Sequence, residues 1–358
     1  MTTRVTLYPI NGVAQFIQDD PFDHSELPAQ IVPDVTIENV KSMFNKETFS
    51  WVGSEMGKHD METLGGVEYA IVHRFEVPYL DSGNADLKSA ELVNNIAACL
   101  RLVRPMRQFG SLLVGNLRPD GTIEVQTFNH PVKLMDVPQL QKGFSLRNRD
   151  VDDLQSVANA YLRGMNGEGE KFDFEKFRMA VSFHDTGHFA VSYWKSRFIL
   201  WCSALEGIYT SQNKNHQGSN VAKERIKWFL GKKTSIFAPG DIQSFMSQPN
   251  YTVSDVVDDL YEVRNCIAHG DRIPERFFKI VPRGYLDADG NILTVLHDGL
   301  SFIIRASLLR ILKDNLLEHF ADGPASEKYF GAAGLTNSAL KLRRRTKGNS
   351  ISLVQLDP

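Results

Sequence analysis

Between His188 and Thr210 this chain is apolar nearly all the way round a helix, through Phe189, Trp194, Phe198, Ile199, Trp201, Leu205, Ile208 and Tyr209. A helix without a polar face has to be enclosed by other helices, so the segment predicts the centre of a bundle. Candidate partners follow it. Asn220 to Leu230 is amphipathic through Val221, Ile226, Phe229 and Leu230, Asp255 to His269 comes next, and Gly299 to Phe320 carries Phe302, Ile303, Leu308, Leu309, Leu312, Leu316 and Leu317. Four such helices make an α-bundle, expected over residues 181–325. Residues 326–358 read as a basic tail with Lys341, Arg343, Arg344, Arg345 and Lys347, and with a strand-like run from Ser350 to Leu356.

Residues 1–180 have a different texture. Strand-like runs at Gly66 to Val77 and Ser111 to Val114 flank a helical pattern from Ala85 to Val103, in which Leu87, Leu92, Ile96, Leu100 and Val103 share a face. Arg118-Pro119-Asp120-Gly121, followed by β-branched alternation from Thr122 to Phe128, predicts a hairpin. A second helix is expected from Asp152 to Met165, stopping in Asn166-Gly167-Glu168-Gly169. The expected fold class is α+β, an N-terminal mixed α/β domain followed by an all-α bundle.

A chain of 358 residues has room for two ordinary domains, each with its own core. No apolar run approaches the roughly 18 residues that cross a bilayer, and Met1-Thr-Thr-Arg-Val-Thr-Leu-Tyr-Pro-Ile lacks a basic segment followed by a long apolar one. A cytoplasmic protein without membrane contact is expected. Cys99, Cys202 and Cys266 show no CxxC spacing and predict reduced packing residues. The net charge of −3 argues against a surface that coats nucleic acid, but leaves room for a local basic groove. Lys223, Arg225, Lys227, Lys232 and Lys233 form one basic cluster, with a solvated helix face as its ordinary reading.

The chemistry-bearing segment is Tyr261-Glu262-Val263-Arg264-Asn265-Cys266-Ile267-Ala268-His269-Gly270. On a wheel of ~100° per residue, Val256, Leu260, Val263 and Ile267 form a stripe ~60° wide. Asn265 and His269, four residues apart, face the other way with Asp258 and Tyr261, and Arg264 lies on the flank. Gly270 tolerates the left-handed conformation that ends a helix, which places His269 in the last turn. There the free carbonyls and macrodipole favour the imidazolium, and a histidine near neutrality can give or take a proton in phosphodiester chemistry. Arg264 offers a planar fork to phosphate oxygens and Asn265 a neutral donor. With RNA the 2′-hydroxyl supplies the nucleophile, so neither metal, cofactor nor protein nucleophile is required. The same residues have a plain structural reading, with Arg264 paired to a carboxylate and His269 as a C-terminal cap.

Other signals are weaker. His184-Asp185-Thr186-Gly187-His188 has the i, i+4 spacing of a metal pair, but Gly187 argues against a regular helix, so a turn at a domain junction is expected and no metal site. Neither a Gly-x-Ser-x-Gly elbow nor a Gly-x-x-x-x-Gly-Lys-[Ser/Thr] loop occurs. Arg272 and Arg276, with Lys223 and Lys227, are candidates to hold an RNA backbone and are equally readable as surface charges. Trp194, Trp201 and Trp228 are expected to pack rather than stack on bases.

Three segments in order, Leu200-Trp201-Cys202-Ser203-Ala204-Leu205-Glu206-Gly207-Ile208-Tyr209, Arg225-Ile226-Lys227-Trp228-Phe229-Leu230 and Leu260 to Gly270, resemble the HEPN superfamily, most closely its Apea-like branch. The resemblance covers residues 188–320 and nothing in residues 1–180. It implies a helical bundle that homodimerises. It also implies a metal-independent endoribonuclease with Arg264, Asn265 and His269 as catalytic residues, joined with a second copy in one cleft. Glu206 and Glu262 match acidic positions of that branch and, with Tyr261, are expected to support the three and orient Arg264. RNA is the implied substrate, with a 2′,3′-cyclic phosphate and a 5′-hydroxyl as product ends. The implied setting is a toxin or anti-phage defence effector, in which the N-terminal half would restrain, localise or trigger the bundle and hold the site for a regulator or phage trigger. The superfamily also holds members that only dimerise or bind nucleotides, and that alternative stands beside the first.

Overall fold

The computed structural model describes residues 2–10, 27–53, 55, 61–62, 64, 66–78, 82–103, 112–128, 148–167, 173–189, 191, 193–210, 218–236, 251–281 and 290–336. The chain divides into two units, Met1–Arg163 and Gly164–Pro358. Strands dominate the first and helices the second, so the architecture is α+β.

The first unit is built on an antiparallel sheet of β1 (Thr2–Ile10), β2 (Ala29–Val32), β3 (Val35–Asn39), β4 (Tyr69–Val77), β5 (Leu113–Leu117) and β6 (Ile123–Phe128), in the order β2-β3-β4-β1-β5-β6. Alternation along a strand sends successive side chains to opposite faces. Val5 and Leu7 of β1 join Val72, Leu113, Ile123 and Val125 in a core closed by Val40, Met43, Val52 and Leu64. Arg4, Thr6 and Tyr8 point to the other face, which is covered by helix α1 (Ser82–Val103). Arg4 grips Asp86 and donates to Asn116 at 2.8 Å, and Ser89 lies between Thr6, at 2.6 Å, and His73, at 2.7 Å. The hairpin stands where its sequence places it, with Gly121 at φ 82° and Arg118 donating to the Thr122 carbonyl. Helix α2 (Asn148–Asn166) reaches the edge of the sheet, where Gln155 donates to the Gln30 carbonyl at 2.8 Å.

The second unit begins with an antiparallel pair, α3 (Glu175–Phe189) and α4 (Trp194–Tyr209). Lys176 donates to the Thr210 carbonyl at 2.8 Å and the Trp201 indole to the His184 carbonyl at 3.1 Å, which fixes their register. Two expectations are corrected here. The apolar run from His188 is not one helix, because His188 and Phe189 end α3 and a new helix starts at Trp194. His184 to His188 is not a turn either. It is helical, with Gly187 inside α3.

Around this pair stand α5 (Gly218–Leu230), α6 (Val253–His269) and α7 (Ile292–Lys313), followed by a 3-10 turn at Leu317–Phe320 and α8 (Gly323–Ala332). Helix α7 touches α3, α4, α5 and α6. It starts earlier than its apolar pattern suggested because Asn291 caps it by accepting from the Thr294 amide at 2.9 Å. By length and composition α7 is apolar enough to cross a membrane, but Val295, Leu296, Leu300, Ile303, Ile304, Leu308 and Ile311 are buried within the bundle. Lys341 to Lys347 and Ser350 to Leu356 lie outside the described residues.

A buried polar network ties the ends of these helices. Arg225 of α5, fully enclosed, donates to the carbonyls of Tyr209 at 2.9 Å and Leu335 at 3.0 Å and pairs with Glu327 of α8 at 2.8 Å. Lys176 sits beside it and donates to Ser326 at 3.2 Å. Burial, and then the Arg225 charge, push the Lys176 ammonium down to about 8. The unfolded chain holds that proton to higher pH, so stability rises as pH climbs from about 8 toward the ordinary lysine range. Urea unfolding of wild type and Lys176→Met across this interval is expected to show the rise in the wild type only.

Candidate active site

Helix α6 is closed at both ends by its own sequence. Thr252 and Asp255 form a reciprocal capping box at the N-terminus, and Gly270, at φ 74°, donates to the Cys266 and Ile267 carbonyls at the other. His269 is therefore the last helical residue. Val253, Val256, Val257, Leu260, Tyr261 and Val263 are buried, an arc of roughly 160° on the same wheel. The ~60° stripe expected from Val256, Leu260, Val263 and Ile267 is thus too narrow. Tyr261 belongs to the core and not to the polar face, because α4 and α5 as well as α7 pack on this helix. Arg264 falls within that wider arc and turns toward α4, whereas Asn265 and His269 stand exposed.

Glu206 of α4 receives Arg264. Their ion pair closes at 3.3 Å, and the other terminal nitrogen of Arg264 donates to the Asn265 side-chain oxygen at 3.2 Å. Burial pushes the Glu206 carboxyl upward and the Arg264 charge only partly offsets it. The Tyr261 hydroxyl, three residues before Arg264 on α6, is buried as well. Burial, then the Cys202 thiol and Glu206 carboxylate, drive it well above the usual phenol range. Neither the Tyr261 hydroxyl nor the Arg264 Nε has a hydrogen-bond partner among the described residues. Cys202, one turn before Glu206, is a free, wholly buried cysteine, in keeping with the packing role expected of it. The i, i+4 spacing of Cys202 and Glu206 is the signal that sets both on one face of α4.

Of the remaining basic candidates, Lys223, Lys227 and Arg276 bond carboxylates of α6. Lys223 and Lys227 both reach Asp258, at 3.3 and 2.7 Å, and Lys227 is itself buried. Burial of Asp258 works against its charge, and the two lysines outweigh it to hold its carboxyl below the usual range. Glu262, expected to orient Arg264, instead accepts from Arg276 at 2.6 Å, as Asp259 does at 3.0 Å, and the carboxylate that holds Arg264 is Glu206. Arg272 pairs with Glu275 at 2.8 Å on the open surface. The site thus joins Arg264, Asn265, Glu206 and Tyr261, with His269 one turn beyond Asn265.

The paired histidines form a separate polar spot. His184 Nε2 and His188 Nε2 are 3.2 Å apart, His188 lies 3.3 Å from the Ser301 hydroxyl, and both rings lie against Trp201. Among the described residues no group of three His, Cys, Asp or Glu is placed to hold a metal ion. Trp201 is wholly buried, and Trp228 is partly exposed against Tyr329 and Phe330. Comparison with protein-family models, curated proteins and solved structures returns no significant match.

Proposed function

We propose that the helical unit is a HEPN-type, metal-independent endoribonuclease that acts on single-stranded RNA. The observation that carries this reading is the end of α6, where Asn265 and His269 stand exposed one turn apart and Arg264 is held beside Asn265. In this reading Arg264 grips the scissile phosphate and Asn265 donates to it or steadies the imidazole. His269 moves the proton as the 2′-hydroxyl attacks phosphorus and the 5′-oxygen leaves. A second copy through the bundle brings both sets of side chains into one cleft. The protein then acts as a cytoplasmic toxin or anti-phage effector whose first unit restrains or triggers it.

The test is incubation of wild type and His269→Ala with end-labelled single-stranded RNA in EDTA, with mass analysis of the ends. Cyclic-phosphate ends from the wild type alone are expected, and RNA left whole by a folded wild type would defeat the reading. One observation favours a second reading, a non-catalytic dimerisation or nucleotide-binding module. Arg264, Arg276, Lys223 and Lys227 are each paired with carboxylates of the same chain, which leaves these four with little spare positive charge for a polyanion. Loss of the dimer in Arg264→Ala, with no change in RNA, would select it.

A further inference from the structure

We propose that Tyr261 is a positioning residue that takes over the Glu206 carboxylate when Arg264 leaves it for the substrate phosphate. The proposal rests on the ribonuclease reading above. A buried hydroxyl without a partner is unfavourable, and a protein core seldom retains one without a use. Tyr261 is such a group, 2% exposed, and it does not stand alone. Arg264, three residues on along the same side of α6, also leaves its Nε without a partner among the described residues. Across from this side of α6, on α4, Glu206 accepts from Arg264 at 3.3 Å, and its charge also acts on Tyr261, one turn before Arg264.

In the resting chain Arg264 holds Glu206 at a long 3.3 Å, against about 2.7–2.9 Å for a strong charge-assisted bond. Arg264 is therefore loosely parked. If the guanidinium moved to a phosphate, Glu206 would be left a half-buried carboxylate without a donor, a state its surroundings resist. The Tyr261 hydroxyl is a proton donor with no partner among the described residues. Donating to Glu206, it satisfies both groups at once, so release of Arg264 is matched by a bond formed behind it. No proton changes hands in this exchange. A phenol is suited to it, because its ring stays packed under α4 while its hydroxyl serves either state.

The experiment is a double-mutant cycle in the full chain. Arg264→Ala takes the guanidinium from Glu206, as substrate would. Tyr261→Phe is expected to leave thermal stability unchanged or raise it in the wild-type background, and to lower Tm by about 4 °C in the Arg264→Ala background. Equal shifts in both backgrounds would overturn the exchange, as would a loss of stability in the single variant. This readout needs no catalysis, so it stands even if the wild type proves inactive on RNA. In an active enzyme Tyr261→Phe is further expected to lower kcat about tenfold with KM unchanged, and an unaltered kcat would count against it.

Discussion

Alanine in place of Arg225 is expected to lower the stability of the helical unit by about 3–5 kcal/mol, the range for removing one partner of a buried ion pair. The guanidinium is fully enclosed and serves three elements, through the Tyr209 carbonyl at the end of α4, the Leu335 carbonyl after α8, and Glu327 within α8. It also lies over the Phe330 ring, 4.6 Å from its centre. Two main-chain carbonyls would lose their donor inside the fold, at about 1–3 kcal/mol each when no water reaches them. Glu327 keeps some access to solvent, so Glu327→Gln is expected to be much milder, about 1 kcal/mol. Urea titration followed by tryptophan fluorescence measures both. A loss under about 1 kcal/mol for Arg225→Ala would show that the network does not hold α8 in place. Limited proteolysis should then also find residues 323–336 no more open than in the wild type.

What the sequence disclosed and what it hid follow from the same physics. Helix α6 was legible because its end is written locally: Gly270 tolerates a positive φ, and the apolar positions recur at helical spacing. Its width of burial was not legible. A wheel assumes one neighbour, whereas α4, α5 and α7 all press on α6, and so Tyr261 passed for a residue of the polar face. Strand β1 was missed because both of its sides are covered. Arg4 and Thr6 are buried among polar partners under α1, so alternation does not separate wet positions from dry ones. The basic cluster on α5 looked like a solvated face. Arg225 and Lys227 are in fact buried, each answered by a carboxylate far away in sequence, Glu327 and Asp258, which no local pattern connects. Asn265 and His269 came through unaltered because exposure at a helix end is a local property. The partner of Arg264 depended on how α4 packs, and so had to come from the fold.

Gly187 gives the sharpest contrast between propensity and packing. Judged as a helix residue, it should gain up to about 1 kcal/mol on replacement by alanine, since glycine is the poorest ordinary helix former. The fold reverses the sign. A Cβ at Gly187 would overlap the Trp201 indole nitrogen and stand 2.8 and 2.9 Å from two of its ring carbons. Trp201 is wholly buried and its N–H is committed to the His184 carbonyl, so the indole cannot retreat without losing that bond or prising α3 from α4. Gly187→Ala is therefore expected to destabilise by about 1–3 kcal/mol, the range for overpacking a closed core. Trp201→Phe removes the nitrogen-bearing ring that the methyl would strike. Combined with Gly187→Ala it should cost clearly less than the two single changes added together, a coupling that unfolding of the four species measures. If alanine instead stabilises the protein, the close approach of α3 and α4 at this point is wrong, and with it the placement of His184 and His188 against Trp201.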